Sequence, residues 1–200
     1  MPEKQITIPA VTREEMTVEI IGETPLITHR FGERARKTIE DAQQHAAKSA
    51  RQPRVPDAEF RDAMYLLEDG SCGFPAAGIM KALALAGMRF ADEKTTVLYG
   101  VINIRAGMLK IETEAAPRMR SDTVRLAGGT SSIAYRPEFW PWRMNIPVTF
   151  NNGIISQEQV LNLFALAGFS VGIGDWRPEK KGTFGTFKIG EVKVFVADKS

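Results

Sequence analysis

The chain has 200 residues, 44% of them hydrophobic and 25% charged, with a formal net charge of +2. This is the make-up of an ordinary globular protein that can bury a core, and it permits a polyanionic partner without demanding one, because any electrostatic footprint must come from local clustering. A single cysteine, Cys72, excludes an intramolecular disulfide, and with only His29 and His45 beside it no zinc cluster of the usual kind can be assembled.

The cysteine usage points to a reducing compartment. Met1 to Ala10 lacks the apolar run of a signal peptide, and nowhere do about eighteen apolar residues follow one another. The expectation is a cytoplasmic protein with no membrane partner.

Met16 to Ile27 is rich in Val, Ile and Thr, alternates in part and stops at Thr24-Pro25, which predicts the first core strand. His29 to Arg61 is highly charged, and its Ala and Gln predict a helix to about Ala50, ended by Pro53 and Pro56, in an insertion that leaves the core. Ala63–Leu67 and Cys72–Phe74 flank Glu68-Asp69-Gly70-Ser71, and Asp-Gly between apolar runs predicts a hairpin. Pro75 suits the first turn of a helix over Ala76–Phe90, which turns Ile79, Leu83 and Ala86 to the core and Lys81 to the other side.

Thr96–Ile104 and Met108–Glu112 read as strands. Pro117–Ser132, polar and carrying Gly128-Gly129, predicts a mobile loop, taken with its flanks as a mobile loop or arm within the core over residues 113–141. Trp142–Phe150 is a strand with Met144, Ile146, Val148 and Phe150 on one face, Pro147 pointing to an edge or a bulge. Ser156 and Gln159 make a capping box for a helix that Gly168 closes, and Phe184–Val196 returns as a strand or hairpin around Gly190.

Without the insertions the order is strand, helix, strand, strand, helix, strand. It predicts an α+β fold with a ferredoxin-like (RRM-like) βαββαβ core in a single domain over 1–200. A long basic insertion, 29–61, follows the first strand, and a glycine-rich loop precedes the last. A four-stranded sheet of this kind leaves one face open, which RNA-recognition domains use for single strands.

The glycine-rich loop is the most informative segment. Gly172, Gly174, Gly182 and Gly185 are interleaved with Arg177, Lys180 and Lys181. Glycines let a backbone approach phosphate closely and form anion-binding nests, but they also serve tight turns, and spacing alone weighs the two readings about evenly. Asp175 and Glu179 dilute the positive field.

The run Gly172-Ile-Gly-Asp-Trp-Arg-Pro-Glu-Lys-Lys-Gly-Thr-Phe-Gly-Thr-Phe187 resembles the glycine-rich loop of the RAMP superfamily, the repeat-associated proteins that build CRISPR effector complexes and process their guide RNAs. Gly73-Phe-Pro-Ala-Ala-Gly-Ile-Met-Lys-Ala-Leu83 is similar to that family's short strand, small-residue turn and lysine-bearing helix start, and Ile21-Gly-Glu-Thr-Pro-Leu-Ile27 to its first strand end. The short chain fits a compact relative of the kind a phage or mobile element encodes, at work in a bacterial host cell.

The resemblance implies that Lys81, Arg177, Lys180 and Lys181 contact a nucleic-acid backbone. It also implies that an insertion carrying Arg34, Arg36 and Lys37 reaches along the strand or to a neighbouring copy. A solvated helix with pairs such as Arg36 and Glu40 explains the insertion equally well. Arg118, Arg120 and Arg125, followed by Tyr135, Trp140 and Trp142, suit base stacking beside phosphate contacts, although at least one tryptophan belongs to the core.

Some RAMP relatives cleave RNA with a histidine, and His29 follows the first strand. A histidine titrates near neutrality, but no second partner is evident for it in the sequence, so a surface or capping role outweighs a catalytic one. The chain has no nucleotide-binding fingerprint, and no cofactor or metal is expected. The leading expectation is a non-catalytic protein that binds RNA or single-stranded DNA and coats it as a homo-oligomer or filament. A metal-independent endoribonuclease of the same fold and a phage structural or adaptor subunit that binds only protein are the alternatives.

Overall fold

The computed structural model describes residues 10–44, 53–125 and 129–195, apart from the side chains of residues 33–35 and 38. The fold is α+β, with antiparallel sheets and five α-helices among the described residues. Four strands, β1 (Arg13–Gly22), β5 (Ile102–Ile104), β9 (Arg143–Asn151) and β10 (Phe187–Phe195), form the central sheet in the order β10-β1-β9-β5, each antiparallel to its neighbour.

Alternation along β1 and β9 decides what each face carries. Met16, Val18 and Ile20 lie opposite Val148, Ile146 and Met144, and all six are fully buried. They share one core with Ile79, Leu83 and Ala86 of helix α3 (Ala76–Phe90) and with Val160, Leu163 and Phe164 of helix α5 (Gln157–Leu166).

The opposite face carries Glu15, Thr17, Glu19 and Ile21 of β1 against Thr149, Pro147, Asn145 and Arg143 of β9. Its charges pair with one another and with neighbouring elements, Arg105 with Glu15 at 3.2 Å and Arg143 with Glu112 at 3.5 Å. On this face β1, β5 and β9 place no aromatic ring, and the one supplied by β10 among the described residues, Phe195 opposite Glu15, lies exposed at the edge of the sheet, so the two central strands carry no stacking platform.

Pro147 is tolerated in β9 for a local reason. Its carbonyl accepts the Arg105 N–H at 3.2 Å, beyond the end of β5, so the missing donor faces that same side and the pairing with β1 is undisturbed.

The capping box that opens α5 is present on both arms. Ser156 Oγ accepts from the Gln159 N–H at 3.2 Å, and Gln159 Oε1 accepts from the Ser156 N–H at 2.9 Å. Gly168 does not close the helix. The chain runs on as a π-helical turn, Ala167–Val171, to Gly172 at φ 67°, and Gly168 lies where a Cβ would overlap the Phe187 carbonyl.

Two further expectations are corrected. Thr95–Val101 is helix α4, not the start of a strand, because Leu98 and Val101, at helical spacing, are buried among α3 and α5, and that packing outweighs the β-branched residues. The stretch read as a loop over Pro117–Ser132 holds, among the described residues, strand β7 (Arg118–Arg125) and the start of strand β8 (Ser131–Phe139), which pair from Arg118↔Glu138 to Arg125↔Ser131. Strand β2 (Leu26–Ile27) joins β8 at Phe139 and Glu138. The polarity that suggested a loop belongs to a ribbon whose charges pair across its strands.

In the segment 29–61, helix α1 spans Glu33–Gln43, residues 45–50 of the expected helix lie outside the described residues, and Pro56 opens a further helix, α2 (Pro56–Asp62), which packs on β8. His45, Lys48 and Arg51 lie outside the described residues.

The hairpin at Asp69-Gly70 forms as expected, with strands β3 (Tyr65–Leu66) and β4 (Cys72–Pro75), Gly70 at φ 79°, and β6 (Met108–Lys110) beside β4. Where β1 turns into β2, the Trp142 indole packs so closely on Gly22 that no Cβ fits, and its Nε1–H donates to the Thr24 carbonyl at 2.8 Å. No helix among the described residues is long and apolar enough to cross a membrane.

Candidate functional site

Thr28 and His29 at the end of β2, Tyr65 of β3, Phe74 and Pro75 of β4, the helix α3 and the glycine-rich loop enclose a cleft of about 230 Å3. Gly78, Lys81, Ala82 and Leu85 recur at three and four residues, so α3 presents them on the one face that borders the cleft. Lys81 is exposed there and has no acidic partner among the described residues, whereas Ile79 and Leu83 on the other face are fully buried.

The loop residues Gly172, Gly174, Asp175 and Arg177 form the opposite wall. Four sequence candidates, Lys81, Gly172, Gly174 and Arg177, therefore converge, and His29 joins them.

The glycines of this loop are explained by contacts within the protein. A Cβ on Gly174 would overlap the Ile27 carbonyl, one on Gly182 the Trp176 carbonyl, and one on Gly185 the Ile173 carbonyl; Gly172, Gly174 and Gly185 also have positive φ. Backbone N–H groups of the loop are already donated inward: Ile173 to Gly185, Asp175 to Ile27, Gly182 to Arg177, Phe184 to Trp176 and Gly185 to Pro25. These amides close the loop on itself and on β2, and offer no anion nest.

Arg177 is engaged by the protein itself. Its Nη1–H donates to the Gly174 carbonyl at 2.7 Å and its Nη2 lies 2.9 Å from Glu179, leaving the side chain 19% exposed. Lys180 pairs with the same carboxylate at 3.3 Å but points outward, and Lys181 is exposed in a left-handed conformation. Burial pushes the Glu179 carboxyl up, yet Lys180, Arg177 and Arg89 outweigh it and hold the group below its ordinary value.

His29 has the partner that the sequence did not reveal. Its Nδ1 lies 3.3 Å from Asp175 Oδ2, and Arg136 Nη1–H donates to that same oxygen at 2.8 Å. Burial raises the Asp175 carboxyl, but the hydrogen bonds and charges of His29 and Arg136 prevail and keep it below the usual carboxylate range. Tyr65 is shifted up, first by burial and then by the charge of Asp175, with Arg30 opposing.

Behind Asp175 runs a chain of alternating charge. Arg136 Nη2–H donates to Asp122 at 2.8 Å, Arg120 binds both Asp122 and Glu138 at 2.8 Å, and Arg118 binds Glu138 at 2.6 Å. Arg120 also lies over the rings of Phe184 and Trp176, and Arg136 over Trp176 at 4.7 Å. Arg120 and Arg136 thus hold the β7–β8 hairpin on the glycine-rich loop, while the largely exposed Arg118 pairs within the hairpin and Arg125 is exposed at the end of β7, away from that network.

The remaining candidates stand apart from the cleft. Arg36 pairs with Glu40 at 2.8 Å as the helical spacing allows, Lys37 is exposed, and the side chain of Arg34 lies outside the described residues. Trp142 is core at 2% exposure, while Trp140 is half exposed. Sequence reading missed Arg136, Asp122, Glu138 and Tyr65, and took Asp175 for a diluting charge. The pairs Arg136–Asp175 and Arg136–Asp122 join separate segments, and no local spacing announces them. No protein-family model and no curated protein matches this chain.

Proposed function

We propose that the protein binds RNA or single-stranded DNA by its phosphates, through the cleft and the adjoining outward lysines of the glycine-rich loop. The observation that carries this reading is the charge balance of the cleft. Lys81 lines it without an acidic partner among the described residues, and Asp175, which lines it too, is engaged by both Arg136 and His29. A phosphate approaching there meets a surplus of positive charge.

The strand order β10-β1-β9-β5, with α3 and α5 as the two connections on one face, supports reading the core as the ferredoxin-like βαββαβ arrangement that the sequence order and the RAMP resemblance imply. The test is titration with labelled single-stranded RNA and DNA at low and high salt, with native mass measured alongside. Salt-sensitive binding that Lys81→Ala weakens is the expected result, and clean protein indifferent to both strands would reject the reading in favour of a protein-only assembly role.

A second reading has its own observation. His29 paired to Asp175 resembles a general base with an orienting carboxylate, and it borders the same cleft as Lys81. Metal-independent endoribonuclease activity would show as cleavage of structured RNA in chelator, lost in His29→Ala and retained in Lys37→Ala.

A further inference from the structure

The lining of the cleft is mixed in chemistry. Phe74, Pro75 and Leu85 give the lining an apolar part, and His29, Lys81 and Arg177 give it a polar, nitrogen-bearing part, with Lys81 one turn from Leu85 on the same face of α3. A hollow of about 230 Å3 is smaller than the roughly 300–1,000 Å3 of pockets that enclose a drug-sized ligand, so it has room for one ring system and its phosphate and not for a run of nucleotides. The open face of the central sheet, where a strand could lie extended, has self-paired charges and no aromatic ring on β1, β5 or β9, with Phe195 of the edge strand β10 as its one exposed ring among the described residues.

We infer that the cleft receives a single nucleotide, its base against Phe74 and Leu85 and its phosphate at Lys81 and His29. The inference rests on the nucleic-acid reading above and sharpens it: the strand is gripped at one nucleotide, at an end or turned out of the run, and is not laid across the sheet. The groups facing the phosphate position are His29, Lys81, Arg177, Asp175 and Tyr65. Among the described residues lining the cleft Asp175 is the only carboxylate, and Arg136 and His29 already engage it.

The experiment is competition, on the full chain, between a labelled oligouridylate and UMP, AMP, uridine or inorganic phosphate. UMP or AMP is expected to displace the strand, with uridine and phosphate each weaker by about tenfold or more, since each keeps only part of the contact. Lys81→Ala should weaken UMP and phosphate alike. Leu85→Ala should weaken UMP and leave phosphate unchanged, and circular dichroism of both variants checks that the fold persists.

If the oligouridylate binds in a salt-sensitive way but no mononucleotide displaces it, the one-nucleotide cleft is wrong and the nucleic-acid reading survives. If neither strand nor mononucleotide binds, both fall. If phosphate competes as well as UMP and Leu85→Ala changes nothing, the base contact is wrong and only an anion site remains.

Discussion

Arg136 and Asp175, 39 residues apart in the chain, meet through an Nη1–H to Oδ2 hydrogen bond of 2.8 Å, and the arginine side chain is only 3% exposed. This pair docks the β7–β8 hairpin on the glycine-rich loop and sets the charge of the carboxylate that borders the cleft. Arg136 also holds Asp122 and lies over Trp176, so one side chain ties a strand, a loop and an aromatic ring together.

Removing that side chain leaves two carboxylates without their shared cation. Arg136→Leu should destabilise the protein by about 3–5 kcal/mol, the usual consequence of breaking a buried ion pair from one side. Urea unfolding followed by tryptophan fluorescence measures it. Arg136→Lys should recover only part of the loss, since an ammonium cannot serve two carboxylates and a ring with the geometry of a planar fork.

The folded protein keeps Asp175 below its ordinary pKa, so the group favours folding when ionised. That contribution is complete above the unfolded value of about 3.9 and is lost as pH falls through the lower folded value. Wild-type stability should therefore fall on acidification below about pH 4 more steeply than that of Asp175→Asn, which has no proton to gain at this site. Thermal melts across the acid range compare the two slopes.

The loop glycines separate steric need from ligand need. Gly182→Ala and Gly185→Ala press a Cβ into the carbonyls of Trp176 and Ile173, and each should cost about 1–3 kcal/mol of stability before any ligand is added. Lys181, at φ 62°, sits in the conformation that glycine prefers. Lys181→Gly should raise stability by about 1 kcal/mol. Chemical denaturation of the three variants gives the order directly.

Arg177 and Lys180, equivalent in the sequence, should part company in experiment. Arg177→Ala removes the bond to the Gly174 carbonyl and a partner of Glu179, and should lower the melting temperature by several degrees. Lys180→Ala removes an exposed charge and should leave the melting temperature unchanged while reducing the salt slope of strand binding by about one.

Helix α3 was legible to the residue, because a run of good helix formers between Pro75 and Ala91 carries its apolar spacing in the sequence. Likewise the capping box of α5 and the alternating core face of β9 need only local pattern. Thr95–Val101 misled because its β-branched residues favour a strand, and only the contact of Leu98 and Val101 with α3 and α5 makes a helix of it. The β7–β8 ribbon misled because its strands are stabilised by paired charges and not by an apolar face.

The candidate site divides in the same way. By itself the sequence determined the elements that line the cleft, the glycine loop that must bend, and the lysine on the outer side of α3, since each depends on residues within a few positions of one another. Only the tertiary structure decided that the glycines accommodate the protein's own carbonyls, that Arg118, Arg120 and Arg177 are already bonded, and that His29 meets Asp175. The physical reason is that charge pairing and steric contact depend on distance in space: His29 and Asp175, far apart in the chain, come within 3.3 Å, and even the short-range bonds of Arg120 and Arg177 depend on how the strand and the loop are folded.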